Sequence, residues 1–254
     1  RYDKTFAVEW ERIKNFRLES MIAGENTIEN YFHGIDTLRK MESAIAGLKR
    51  EETQEYLFFQ PDKTDTLQRT CEEMKSFLEG EEKLLEEQAA VIKSADLEVI
   101  NSRLLAMKDI CWMLEKDILA NFPKILHLTG EKKYSAVHPE AFRKYRKINL
   151  LLNALDRLEV RGRDSAGIQL TFVLKKENVL QEVTQRIMEK GLADDYQRRT
   201  QKGDLLNRSI AISSGTKNNP GNICVTFTHK TFSIVGELGR NVADLRNTIM
   251  RDDI

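Results

Sequence analysis

Ile100, Leu104, Met107, Cys111, Leu114 and Ile118 step along the chain in alternating fours and threes. Only a helix brings such positions onto one face, and the seam they form must be covered by another helix. Similar spacing runs through much of the text before residue 147. Phe6, Trp10 and Ile13 fit a helix over residues 3–22, with Gly24 as its stop. Asn26 and Glu29 read as a capping box, side-chain oxygens meeting orphan amides. The box opens a helix with Ile28, Tyr31, Ile35, Leu38, Ile45 and Leu48 on one face. Residues 61–64 punctuate the chain. A third helix repeats at seven residues through Cys71, Leu78, Leu85 and Ile92, and Pro123 is expected to end the fourth. The four prolines of the chain interrupt few helical hydrogen bonds. Residues 1–147 are therefore expected to form an antiparallel helical bundle.

At 254 residues the chain has room for one large domain or two ordinary ones. Forty basic and forty acidic residues leave no net charge, which excludes a global basic field for nucleic acid. A local stretch remains: Lys133, Arg143, Lys144, Arg146 and Lys147, with Tyr134 and Tyr145 interleaved. It reads as the basic outer face of a helix, and Glu81 to Glu87 as a solvated acidic face. No apolar run approaches the roughly 20 residues of a membrane span. Three widely spaced cysteines, Cys71, Cys111 and Cys224, form no CxxC pair and suit reduced thiols in the cytoplasm. His33, His127, His138 and His229 form no HExxH or i,i+4 pair, so no metal site is expected. His138 precedes Pro139, where a helix N-cap would stand. The opening Arg1-Tyr2-Asp3-Lys4 lacks an initiator Met, and the chain reads as a piece of a longer protein.

From residue 148 the text changes, gaining Gly, Thr, Val, Ser and Asn. Ile148, Leu151, Leu152, Leu155 and Leu158 form one helical stripe. Arg161-Gly162-Arg163-Asp164-Ser165-Ala166-Gly167 follows as a small-residue turn, and Ile168 to Leu174 as a buried strand. Asn222–Thr228 and Lys230–Val235 read as a strand pair. Gly236, Gly239 and a helix through Met250 come after it.

The segment "LDRLEVRGRDSAGI" resembles the L-x-x-L-x-x-R-G-x-D-S-A-G text of class II (N-terminal nucleophile) glutamine amidotransferases. Within that group it is most similar to the glutamine–fructose-6-phosphate aminotransferases, and the purine-pathway amidotransferase has a similar segment. The resemblance covers residues 147–254. Arg163 stands where the aminotransferases usually carry an aromatic, and residues 175–221 are longer than the family's usual connection.

The chain is thus expected to be α+β: the N-terminal helical bundle (1–147) stands as an insertion or extension, and the resemblance implies that part of an Ntn-hydrolase-type α/β sandwich follows it (148–254). It implies an enzyme that hydrolyses glutamine and transfers the ammonia to a sugar phosphate such as fructose 6-phosphate. No cofactor is implied. By resemblance, Arg161 and Gly162 would lie beside the nucleophile, and Asp164 and Ser165 would shape the turn. In the family the nucleophile is an N-terminal Cys whose own α-amine acts as base. None of the three cysteines here has a free α-amine, so the fragment itself should be inactive, with a Cys-bearing strand expected upstream of Arg1. The family's His-Thr-Arg-Trp and Asn-Gly segments are expected beyond Ile254, together with a domain through which members form homo-oligomers. The competing expectation is a non-catalytic helical interaction or regulatory scaffold carrying a degenerate amidotransferase-like segment.

Overall fold

The four-and-three seam becomes one helical run from Ser94 to Leu119 in the computed structural model, which describes residues 2–158, 165–175, 177–201, 209–214, 221–232 and 239–254. All six seam residues are buried. The run is not uniform. After α6 (Ser94–Trp112), Met113–Leu119 is a π-helical segment, closed by an Ala120 N–H that reaches back to the Glu115 carbonyl at 2.8 Å. The wider turn keeps Leu114 and Ile118 on the core.

The chain divides into two compact units: Arg1–His127 with Glu131–Tyr145, and Leu128–Gly130 with Arg146–Ile254. The first is helical. Before α6 it holds α1 (Tyr2–Ile13), α2 (Leu18–Ile22), α3 (Ile35–Leu48), α4 (Glu51–Phe58) and α5 (Pro61–Gln88). After it come α7 (Asn121–Thr129) and α8 (Pro139–Leu158), both of which continue into the second unit. Phe58 centres an aromatic cluster with Phe59, Phe122, Tyr134 and Phe142, at ring separations of 4.6 to 6.0 Å. Such edge-on and tilted contacts place the positive rim of one ring near the negative face of another.

Several sequence expectations are corrected here. The helix expected over residues 3–22 is two helices. Asn26 and Glu29 form no capping box: Thr27 stands at the cap of a short 3-10 turn, Ile28–His33, without a side-chain cap bond. The helix expected to run from Ile28 to Leu48 is broken because Phe32, His33 and Gly34 all take positive φ, 52°, 58° and 81°. Pro61 and Pro123 act as starts: Pro61 is the first residue of α5 and Pro123 lies in the first turn of α7, where the missing N–H costs little. Ile92 lies past the end of α5. Glu81 is not solvated. It is fully buried on α5 and accepts hydrogen bonds from Arg17 Nε (2.9 Å) and the Leu18 N–H (2.8 Å), capping α2 from across the core. His138 does cap α8: its Nδ1 accepts the Glu140 N–H at 3.3 Å.

The broken turn is held by one side chain. Arg103, buried on α6, donates from Nη1 to the carbonyls of Ile28 (3.1 Å), Glu29 (2.9 Å) and Tyr31 (2.6 Å). Left-handed backbone at two non-glycine residues costs about 1–3 kcal/mol each, so it persists only where surrounding contacts over-determine it. The buried, stacked rings of Tyr31 and Phe32 supply the rest of that constraint.

The second unit mixes helices with a sheet. Its strands are β1 (Ser165–Leu174), β2 (Ile210–Ser214) and β3 (Ile223–Phe232). Its helices are the end of α8, α9 (Glu177–Glu189), α10 (Ala193–Thr200) and α11 (Arg240–Met250). The sheet is antiparallel in the order β1-β3-β2. Strand β3 is continuous through His229, where two strands were expected, because ten consecutive residues pair in register with β1. Period-2 alternation then sorts the residues. Ile168, Leu170, Ile210, Val225, Phe227, His229 and Thr231 share the face on which α11 packs; Thr231 Oγ1 donates to the Asn241 carbonyl at 3.2 Å. The opposite face carries Gln169, Thr171, Thr226 and Thr228, with the Thr171 and Thr226 hydroxyls 3.0 Å apart. Strand β1 is therefore half exposed, not buried. The α8 stripe is also rotated from the expected one. Asn149 and Leu152 are buried, whereas Leu151 and Leu158 face outward.

Candidate functional site

The segment from Leu155 to Ile168 begins on the last turn of α8 and ends on β1. Arg161, Gly162 and Asp164 lie outside the described residues. Ser165 is described: it is the exposed first residue of β1, paired with Phe232 at the end of β3. α11 contributes its N-terminus here. Gly239 caps it at φ 83°, and a Cβ built on Gly239 would sit 3.6 Å from Asp156 Oδ1 of α8. The positive end of a helix favours a carboxylate in that position. Further along, Arg246 Nη1 donates to Asn149 Oδ1 at 2.8 Å. Burial presses the Arg246 guanidinium below its ordinary pKa, against the opposing pull of Asp156. The end of α8 and the start of β1 thus bound the stretch of sequence that carries the family resemblance, and the start of α11 lies against α8 at Asp156.

A second constellation lies on the helix-covered face of the sheet. Arg199 of α10 makes a two-pronged ion pair with Asp252, just past α11: Nη1 to Oδ1 at 2.8 Å and Nη2 to Oδ2 at 2.7 Å. Arg199 Nε donates to Ser209 Oγ at 2.8 Å, and the guanidinium lies 6.0 Å from the Phe227 ring centre. His229 Nε2 is 3.7 Å from Asp252 Oδ2, and Asp195 Oδ2 is 3.6 Å from Arg199. The Asp252 N-terminal neighbour in this arrangement is α11 itself, and the Ile254 N–H closes it by donating to Oδ1 at 3.2 Å. Ser, His and Asp are all present, but Ser209 bonds to Arg199 and not to the imidazole. The arrangement is not a nucleophile–base relay. It ties the residues that follow α11 onto the sheet.

The titration follows from these neighbours. Burial lowers the His229 pKa below its ordinary 6.5, with Asp252 opposing and Arg199 reinforcing. Burial alone would raise the Asp252 carboxyl, but the Arg199 hydrogen bond and charge bring it below 3.8. A His whose folded pKa is depressed contributes stability above its unfolded pKa and loses it as pH falls through the folded value. Stability linked to His229 is thus expected to decline as pH drops below about 6.5. An NMR titration of the imidazole should give a midpoint below 6.5. A midpoint above it would mean that Asp252 outweighs burial.

Sequence reasoning did not find this cluster. Arg199, Ser209, His229 and Asp252 are spread over more than fifty positions and no local spacing joins them. The basic stretch lies, as expected, on the outer face of a helix, with Arg143, Lys144 and Lys147 exposed on α8. Arg143 is held by Glu55, Nε to Oε2 at 2.7 Å and Nη2 to Oε1 at 3.0 Å. Tyr134 and Tyr145 pack against the aromatic core, so they are not a stacking platform for bases. Among the described residues, no group of three or more His, Cys, Asp or Glu side chains is placed to hold a metal ion. No helix among them is long and apolar enough to cross a membrane.

Fold and site define a mixed α+β protein, mostly helical, with a small three-stranded antiparallel sheet. Comparison with protein-family models, curated proteins and solved structures finds no match to this chain.

Proposed function

We propose that residues 148–254 are part of a class II glutamine amidotransferase whose sheet is one layer of an Ntn-hydrolase-type sandwich. The parent enzyme hydrolyses glutamine and passes the ammonia to a sugar phosphate such as fructose 6-phosphate. The observation that carries this reading is the text "LDRLEVRGRDSAGI", whose two ends stand on α8 and β1. In it Arg161 and Gly162 lie beside the nucleophile, while Asp164 and Ser165 shape the turn. Thiol attack on the glutamine amide needs an α-amine on the same residue as base. Cys71 and Cys111 are buried inside helices and Cys224 sits within β3, so this chemistry requires a Cys outside residues 1–254. The reaction needs no cofactor. Cytoplasmic location and assembly into a homo-oligomer through a further domain belong to the same proposal.

A second reading is a helical interaction or regulatory scaffold. The first unit favours it, because its core from Phe6 to Phe142 is built from its own helices. One experiment separates the two. The full-length gene product is incubated with an electrophilic glutamine analogue, the modified residue is mapped by peptide mass spectrometry, and ammonia release from glutamine is assayed. A label on an N-terminal Cys together with ammonia is the expected result. A folded protein that takes no label and releases no ammonia overturns the enzyme reading in favour of the scaffold.

A further inference from the structure

Cys71 on α5 and Cys111 on α6 meet in the core of the helical unit. The Cys71 thiol lies 4.0 Å from the Cys111 carbonyl oxygen, and the Cys111 thiol lies 3.9 Å from the Cys71 carbonyl oxygen. The reciprocal contacts put each thiol against the other cysteine's backbone, a juxtaposition from which rotation about the side-chain bonds can bring the two sulfurs together. Both thiols are free and buried. One turn further along each helical run, Lys75 and Glu115 pair at 2.8 Å across the same two helices.

We propose that Cys71 and Cys111 are a reversible thiol–disulfide pair, oxidised by hydrogen peroxide, that locks α5 to α6. The two sulfurs are not equivalent. The hydrogen bond between them holds the Cys71 thiol below its ordinary pKa and pushes Cys111 above its own, and the Lys75 ammonium favours charge on Cys71. Cys71 is thus the attacking sulfur, since the thiolate is the nucleophile. It attacks one peroxide oxygen, the O–O bond breaks, and the departing hydroxide takes up a proton as water. The Cys71 sulfenic acid is then attacked by the Cys111 sulfur. The S–O bond breaks, and the second hydroxide leaves as water with the Cys111 proton. In sum, two thiols and one peroxide give one disulfide and two waters. Peroxide is small enough to enter during brief openings of a packed helix pair, whereas bulky oxidants are held out. The bond would close a stretch of chain 40 positions apart.

The test uses the full chain. It is exposed to hydrogen peroxide, remaining thiols are alkylated, and tryptic peptides are mapped without reduction. The expected product joins residues 70–75 to residues 109–116 and disappears on treatment with dithiothreitol. Oxidation should raise the melting temperature by about 5–10 °C, the scale expected for a loop of this length. Cys71→Ser or Cys111→Ser abolishes the shift and Cys224→Ser keeps it. If neither serine variant folds, the peptide map of the unsubstituted chain still decides. Full alkylation of both Cys71 and Cys111 after peroxide, irreversible oxidation of either without a bond, or linkage to Cys224 overturns the proposal.

Discussion

Arg103→Ala is expected to destabilise the helical unit by about 3–5 kcal/mol, the cost of stranding buried polar groups that lose a charged partner. The guanidinium meets three carbonyls of the Ile28–His33 turn, of which the Tyr31 carbonyl also accepts the Gly34 N–H at 3.1 Å. Without it, those carbonyls stay desolvated or the turn unfolds, releasing the left-handed backbone at Phe32 and His33. Trp10 packs edge-on against Phe77, which also touches Phe32, so tryptophan fluorescence during urea unfolding reports on this region. Arg103→Lys should recover only part of the loss, because all three bonds leave from Nη1 and a lysine ammonium, on the shorter side chain, falls about one bond short of that position. A loss below about 1 kcal/mol for the alanine variant would show that water replaces the guanidinium without cost.

The second large effect is expected in the other unit. Asp252→Ala should cost about 2–3 kcal/mol, below the full range for breaking a buried pair because both side chains keep some exposure, 16% for Arg199 and 12% for Asp252. It leaves the Arg199 guanidinium with only the longer Asp195 carboxylate contact at 3.6 Å and frees the residues after α11 from the sheet. Amide exchange in β3 should become roughly 30- to 150-fold faster. The His229 midpoint should fall further, since the one charge that raises it is gone. Unchanged exchange together with an unchanged His229 midpoint would show that the pair contributes nothing to holding the sheet.

The two units differed in how much of them could be read from the text. The helical seams were legible because a 3.6-residue period repeats over many turns. Ile100 to Ile118 is buried as the spacing requires, despite the π segment inside it. Pro123 misled when taken as a stop, since a proline in the first turn and one after the last look alike without the neighbouring hydrogen bonds. Glu81 misled for a related reason. A run of glutamates is solvated by default, and only the arrival of Arg17 and the Leu18 amide makes burial of one carboxylate tolerable. β2, α9 and α10 were not read at all, and one strand was read as two. Short elements offer too few periods for pattern alone to set their bounds.

The candidate sites divide along the same line. Arg161, Gly162, Asp164 and Ser165 were singled out because the text around them resembles a family motif; the residues alone say only that a small-residue turn needs room there. The Arg199–Asp252–His229 cluster was invisible because its members come from α10, the chain end and β3. By itself the sequence determined a mostly helical chain, the faces of its long helices, the cap at His138 and a change to mixed structure after the bundle. These follow from forces between residues a few positions apart. Only the tertiary structure decided where α3 begins, which carboxylate is buried, how β1, β2 and β3 pair and which cysteines meet. Each of those depends on a partner far away in the chain, and its free energy appears only once the backbone brings the two together.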